Sequence, residues 1–205
     1  METLKEKPFS RHQKGFSLIE LLVAITIFII VIGAITSMFV SAIKIQRYVL
    51  ASQYLLDQSS YAMEYTSKVL RMAKKDLTGV SGCIPQFTNY AWDTVPGETS
   101  DGLLFEKELA TAPPSLICKG FFLEDSQLKD YEPGRGVLPL TSANRLEVLD
   151  FGVAGFGWGQ PPADTLQARV TMTLGIRALG NEPQPKIRLQ TTISQRDLDL
   201  KEVEP

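Results

Sequence analysis

The sequence predicts an α+β chain: one long N-terminal helix followed by a small antiparallel β-sheet. Three observations carry that expectation. Residues 21–43 form a run of 23 residues without a charge. Residues 45–79 contain no proline and are rich in helix formers. Beyond Gly79, apolar and polar residues alternate between turns rich in Pro and Gly. A helix followed by a run of strands is the order of an α+β fold.

The uncharged run comes first in the argument. At about 1.5 Å per residue, a helix of that length reaches roughly 30 Å or more, enough to cross the hydrocarbon core of a bilayer. Before it, Lys5, Lys7, Arg11 and Lys14 outweigh Glu2 and Glu6. Basic residues beside an apolar span stay cytoplasmic, so the bulk of the chain is expected on the far side as a single-pass protein of the inner membrane. Three simpler explanations compete. A secretory signal peptide has a shorter apolar region of about 7–15 residues, and here only Val40-Ser41-Ala42 offers a small-residue cut site. A plain anchor accounts for the length but not for Glu20. A buried helix of a soluble protein needs a polar face, and residues 21–43 have almost none.

Glu20 separates these explanations. Acidic side chains at the centre of a membrane helix cost about +2.5 to +3.5 kcal/mol, less near the interface. Such a group is normally paired. A cut between Gly15 and Phe16 would place a new ammonium one helical turn before Glu20, where it can meet that carboxylate within a chain or between staggered chains.

Lys14-Gly15-Phe16-Ser17-Leu18-Ile19-Glu20-Leu21-Leu22-Val23-Ala24 resembles the processing motif of type IV prepilins and type II secretion pseudopilins. In that family a short basic leader ends in Gly, Phe commonly follows, and an acidic residue stands fifth after the cut. The resemblance implies a pilin-like fold, cleavage after Gly15 by a membrane prepilin peptidase, N-methylation of Phe16, and assembly through Glu20 into a helical filament with other pilins or pseudopilins on an inner-membrane platform. It divides the chain into a leader (1–15), a membrane and filament-core helix (16–44), an amphipathic continuation (45–79) and a sheet domain (80–205). Chain length and the closing residues 189–196 are similar to J-type minor pseudopilins. The alternatives are a tip pilin for adhesion or competence, and a membrane-tethered enzyme or ligand-binding domain.

Composition narrows the chemistry. Net charge is −2, which gives no electropositive surface for nucleic acid. The single histidine, His12, lies in the leader, so the processed chain would lack Ser-His and Cys-His pairs. No catalytic residue, metal site or cofactor is expected. Cys83 and Cys118 suit a disulfide in a non-cytosolic domain; two buried thiols are the other reading. The acidic loops Asp93, Glu98, Asp101 and Glu124, Asp125, Asp130, Glu132 lack EF-hand spacing and read as solvated carboxylates. Gly152, Gly155, Gly157 and Gly159 are not followed by the Lys-Ser/Thr of a phosphate loop.

The helix is expected from Phe16 to Leu77, with Gly79 as its stop. Leu50, Tyr54, Tyr61, Tyr65, Val69, Met72 and Ala73 recur at helical spacing and are expected to pack on the sheet, the tyrosines as core or subunit contacts rather than a binding face. The polar patch 57–60 is expected to loosen that stripe. Strands are expected at 103–109, 116–123, 145–153, 165–179 and 186–195, the last two as a hairpin. In the fourth, Leu166, Ala168, Val170, Met172, Leu174, Ile176 and Ala178 share one face. Ile187, Leu189 and Ile193 point inward from the fifth. Trp158, in a Gly-rich loop, is expected to fold back on the sheet, with a partner contact as the other reading. The charged tail 197–205 is expected to fray.

Overall fold

The computed structural model describes residues 15–79, 81–109, 115–159, 166–180 and 184–196. The expectations for the basic leader 1–14, Pro113-Pro114, the hairpin loop 181–183 and the tail 197–205 lie outside these residues. Two compact units divide the chain, Met1–Arg47 and Tyr48–Pro205.

Among the described residues one helix, α1 (Leu18–Leu70), is followed by nine strands: β1 (Ala73–Lys74), β2 (Tyr90–Thr94), β3 (Asp101–Leu109), β4 (Ser115–Glu124), β5 (Gln127–Glu132), β6 (Gly136–Pro139), β7 (Leu146–Phe156), β8 (Arg169–Ala178) and β9 (Lys186–Ser194). The α+β fold with its long apolar N-terminal helix is what the residue pattern predicts. The strands make two sheets rather than one. The first runs β1-β3-β4-β5-β6, with β2 also paired to β3. The second is the meander β7-β8-β9. Every described pairing is antiparallel.

The helix ends at Leu70, not at Leu77. Its last carbonyls find other partners: the Tyr90 hydroxyl donates to Leu70 O at 2.8 Å, and the Arg196 N–H donates to Arg71 O at 2.8 Å. Ala73 and Lys74 then turn extended to pair with Lys107 and Glu106. Tertiary hydrogen bonds from residues 20 and 125 positions away outcompete continued helix. Gly79 therefore stops nothing. It takes a φ of +68° in the turn after Asp76, whose carboxylate Oδ1 accepts the N–H groups of Thr78 and Gly79.

The stripe that α1 buries is Leu55, Ser59, Ala62, Thr66, Val69 and Leu70. The spacing is helical, but the phase differs from the expected one. Leu50, Tyr61 and Met72 stay exposed. Leu55, Val69 and Leu70 supply the larger apolar contacts, with Ser59, Ala62 and Thr66 between them. Ser59 is fully buried and satisfies its hydroxyl on Leu56 O at 3.0 Å, so the polar patch does not loosen the stripe. Thr66 does the same on Ala62 O at 2.8 Å.

Two clusters make the main core. One gathers Val69, Leu70 and Ala73 with Tyr90, Leu103, Phe105 and Phe121 of the first sheet and Ala168, Val170, Met172 and Ile193 around the second. The other sets Leu55 and Ala62 against Leu128, Leu146, Val148, Leu174 and Ile176. The inward residues of β8 and Ile193 of β9 behave as their alternation predicts. Ile187 and Leu189 are half-buried, Leu166 is exposed, and β8 begins at Arg169. A third cluster, Cys83, Ile84, Val95, Leu104 and Phe122, covers the opposite face of the first sheet. That second cover explains why β3 is buried without a break from Gly102 to Glu106.

Candidate processing and assembly site

The candidate site lies at the start of α1. Gly15, Phe16 and Ser17 precede the helix in open surroundings: a Cβ built on Gly15 meets nothing within 4 Å, and Phe16 is 83% exposed. The Ser17 carbonyl accepts the N–H groups of Glu20 at 3.0 Å and Leu21 at 3.2 Å, which closes the first turn. Glu20 thus stands in the first turn of the helix, four residues after Phe16. Ser17-Leu18-Ile19-Glu20 also has the spacing of a capping box, and the helix dipole favours an acid there. From Leu21 to Ala42 the apolar side chains stay exposed; the most apolar 18-residue window of α1 has none of its residues buried. By length and composition this helix can cross a membrane.

Cys83 and Cys118 are joined in a disulfide, with Cα atoms 5.5 Å apart and a sequence separation of 35. It ties the loop before β2 to the middle of β4, beside the third apolar cluster.

The tyrosines of α1 divide. Tyr54 lies under the Arg145 guanidinium, 5.2 Å from its ring centre, and packs on the second core cluster. Tyr65 meets Phe121 edge-on at 6.2 Å and donates to Asp130 Oδ2 at 2.6 Å. Tyr61 stacks on Tyr65 from the exposed side. Trp158 is folded back on the sheet: its indole N–H donates to Arg169 O at 3.0 Å, and its ring lies 5.8 Å from that of Tyr90. Gly155 permits this, since any Cβ there would collide with the indole.

The second acidic run is a strand, not a solvated loop. Asp125 and Ser126 turn the β4–β5 hairpin with φ of 50° and 58°, and Asp130 and Glu132 lie on β5. Lys119 Nζ bridges these two carboxylates, 3.2 Å from Asp130 Oδ2 and 2.8 Å from Glu132 Oε2. Lys129 Nζ holds Glu124 at 2.7 Å and Asp125 at 2.9 Å. Burial pulls the Lys119 ammonium down, but the hydrogen bond it donates to Glu132 and the charge of Asp130 leave it above the usual lysine range. The same ammonium holds Glu132 below the usual carboxylate range. Of this charge run Asp130 is interior, with Lys119 of the neighbouring strand as its cation, while Asp125 stays at the surface. In the first acidic loop, Asp101 accepts the Thr94 hydroxyl at 2.9 Å. Among the described residues no three His, Cys, Asp or Glu side chains gather as a metal site.

Comparison with known families finds the prokaryotic N-terminal methylation motif at residues 10–36. The match covers the start of α1 with Gly15, Phe16 and Glu20, and leaves the sheet domain outside it. No curated protein and no solved structure matches the chain. The chain is thus an α+β protein of pilin-like fold, with one apolar N-terminal helix and two antiparallel sheets. Its N-terminus carries the prokaryotic methylation motif of the type IV pilin and pseudopilin kind.

Proposed function

We propose that the chain is a structural subunit, a minor pilin or pseudopilin, of a type IV pilus-like or type II secretion filament. A prepilin peptidase cuts it after Gly15, and Phe16 becomes the N-methylated first residue. The mature helix rests in the inner membrane with its sheet domain on the extracytoplasmic side. It then enters a filament on an assembly platform, beside other pilins or pseudopilins. The role is structural rather than enzymatic.

The observation that carries this reading is the placement of Glu20. It is an acid in the first turn of an exposed apolar helix, four residues after Phe16. The ammonium that cleavage creates at Phe16 neutralises it, either in the same chain or in a neighbour offset along the filament axis.

Mass spectrometry of the protein taken from its native membrane tests the processing step. The expected product begins at Phe16 and is one methyl group heavier than the bare amine; a retained Met1 rejects the reading. The assembly step is tested with Glu20→Ala and Glu20→Gln. Both are expected to insert in the membrane and to fail in filament incorporation. Incorporation of Glu20→Gln at the native level would mean that Glu20 only caps the helix, because Gln keeps the capping-box acceptor and loses the charge.

A further inference from the structure

Two enclosed acids near the disulfide take no part in the filament reading. Asp76 and Glu106 are almost completely buried, at 1% and 0% exposure. Ser81 stands between them: its hydroxyl oxygen contacts Glu106 Oε1 and lies 3.4 Å from Asp76 Oδ2. The same oxygen accepts the Cys83 N–H at 3.2 Å, and Cys83 is tied to Cys118 of β4 by the disulfide.

The surroundings of the two acids differ. Asp76 Oδ1 accepts the N–H groups of Thr78 at 2.8 Å and Gly79 at 2.7 Å. Burial pulls Asp76 up, but those bonds outweigh it and hold the carboxyl below its usual range. Glu106 Oε2 is buried with no hydrogen-bond partner. Lys74, its register partner on β1, has its ammonium 3.6 Å from Glu108. Cys118, its register partner on β4, is in the disulfide and does not titrate. The cluster around Cys83 adds Ile84, Val95, Leu104 and Phe122, all apolar. The charge that reaches Glu106 is that of Asp76, which has the same sign. Burial, opposed by the Ser81 hydrogen bond and reinforced by Asp76, holds Glu106 above the usual carboxylate range. Environments that push two neighbouring acids apart assign one of them the proton.

We propose that Asp76, Ser81 and Glu106 form a proton-operated latch, in which neutral Glu106 holds the segment Ser81–Ile84 on β3 and its ionisation with rising pH releases that segment. One arrangement of protons satisfies every group at the centre. The Glu106 carboxyl donates from Oε1 to Ser81 Oγ, and the Ser81 hydroxyl donates to Asp76 Oδ2. Ser81 Oγ then accepts two bonds, from Glu106 and from the Cys83 N–H, which is its full capacity. Glu106 Oε2 is left as the carbonyl oxygen of a neutral acid, far cheaper to enclose without a donor than a carboxylate oxygen. When Glu106 gives its proton to solvent, the one Ser81 proton must serve two anions, and one of them is stranded. The relief is to open the contact. The Cys83 N–H loses its acceptor, and Cys83 and Ile84 loosen over the outer face of the first sheet while the disulfide stays intact.

The sign of the effect follows from the raised Glu106 value. Its contribution to stability is complete below its ordinary value of 4.5 and is lost as pH rises through the raised one. Asp76 and Glu132 are held low, so their contributions change on the acid side instead.

The test is thermal unfolding of the full chain in detergent, from pH 4.5 to weakly basic pH. The wild-type Tm is expected to fall with rising pH, by an amount on the order of 5 °C. In Glu106→Gln the amide N–H replaces the acid proton on Ser81, and the fall is expected to disappear. A wild-type Tm that is flat over this range overturns the proposal, and so does a fall that persists in Glu106→Gln. Amide hydrogen exchange of the wild-type chain keeps the test decisive if that variant does not fold. Corrected for the intrinsic rate, the Cys83 N–H is expected to lose protection roughly tenfold across the range, while the Met172 N–H in the core of β8 keeps its own. Unchanged protection at Cys83 overturns the latch. None of these outcomes depends on cleavage at Gly15 or on filament assembly.

Discussion

Lys119 exposes 2% of its side chain and answers two carboxylates at once. Removing it would strand Asp130 in the interior and leave Glu132 without its cation. Lys119→Met is therefore expected to cost about 3–5 kcal/mol, the range for breaking a buried ion pair from one side. Tyr65→Phe removes only one donor from Asp130, whose Oδ1 already lacks a partner. Its expected cost is about 1–3 kcal/mol. Denaturant unfolding of the two variants checks both the order and the size. The pH dependence has two sides. Glu132 is held below its ordinary value of 4.5, so its contribution is present above that value and is lost as pH falls through the lowered one. Lys119 is held above 10.5, so its contribution is complete below that value and is lost as pH rises through the raised one. The contribution of this pair to stability is expected to be flat from weakly acid to weakly basic pH and to decline beyond either side. In Lys119→Met the acid decline due to Glu132 is expected to disappear.

At the scale of elements, α1 meets the core along one stripe that includes small residues. Ala62 is fully buried between the helix and the second core cluster. Ala62→Leu is expected to destabilise by about 1–3 kcal/mol, because the added carbons enter a space already filled. Leu56 lies on the exposed side of the same helix, and Leu56→Ala is expected to change the stability of the isolated subunit by no more than about 0.5 kcal/mol. Thermal unfolding of the pair in detergent reads the difference. Sequence spacing announces a helical stripe but leaves its phase open. Tyr54, Tyr61 and Tyr65 look like the stripe because they are large. The structure buries Leu55, Ser59, Ala62, Thr66, Val69 and Leu70 and leaves Tyr54 and Tyr65 half-buried beside them. The β4–β5 hairpin escaped notice for a related reason. Asp125-Ser126 is a weak signal beside Asn-Gly or Asp-Gly, and the charges of β5 suggest surface until Lys119 and Lys129 are seen opposite them. The same holds for β2, whose five residues are too few to show a period.

At the scale of the whole molecule, the disulfide is the one covalent tie across the first sheet. It closes a loop of 35 residues. Loop entropy alone assigns it about 4 kcal/mol, and replacing both cysteines by serine is expected to lower stability by up to that amount. Chemical denaturation of the oxidised chain against the double variant measures it. A negligible difference would mean that the unfolded chain already holds residues 83 and 118 near one another.

The sequence by itself determined the N-terminal segment of this protein. A membrane-length helix, its one acid and the glycine before it act through local chemistry: hydropathy, helix geometry and one charge at a fixed spacing. None of these requires a distant residue, so all are legible in a linear string. It also determined the long strands β3, β4, β7, β8 and β9, each of nine or more residues, with alternation plainest in β8 and β9. The tertiary structure alone decided the end of α1, the division into two sheets, the pairing of Lys119 with Asp130 and Glu132, and the meeting of Asp76 with Glu106. Each of these turns on a contact between residues far apart in the chain, where a hydrogen bond or a charge acquires its partner only after the backbone has folded.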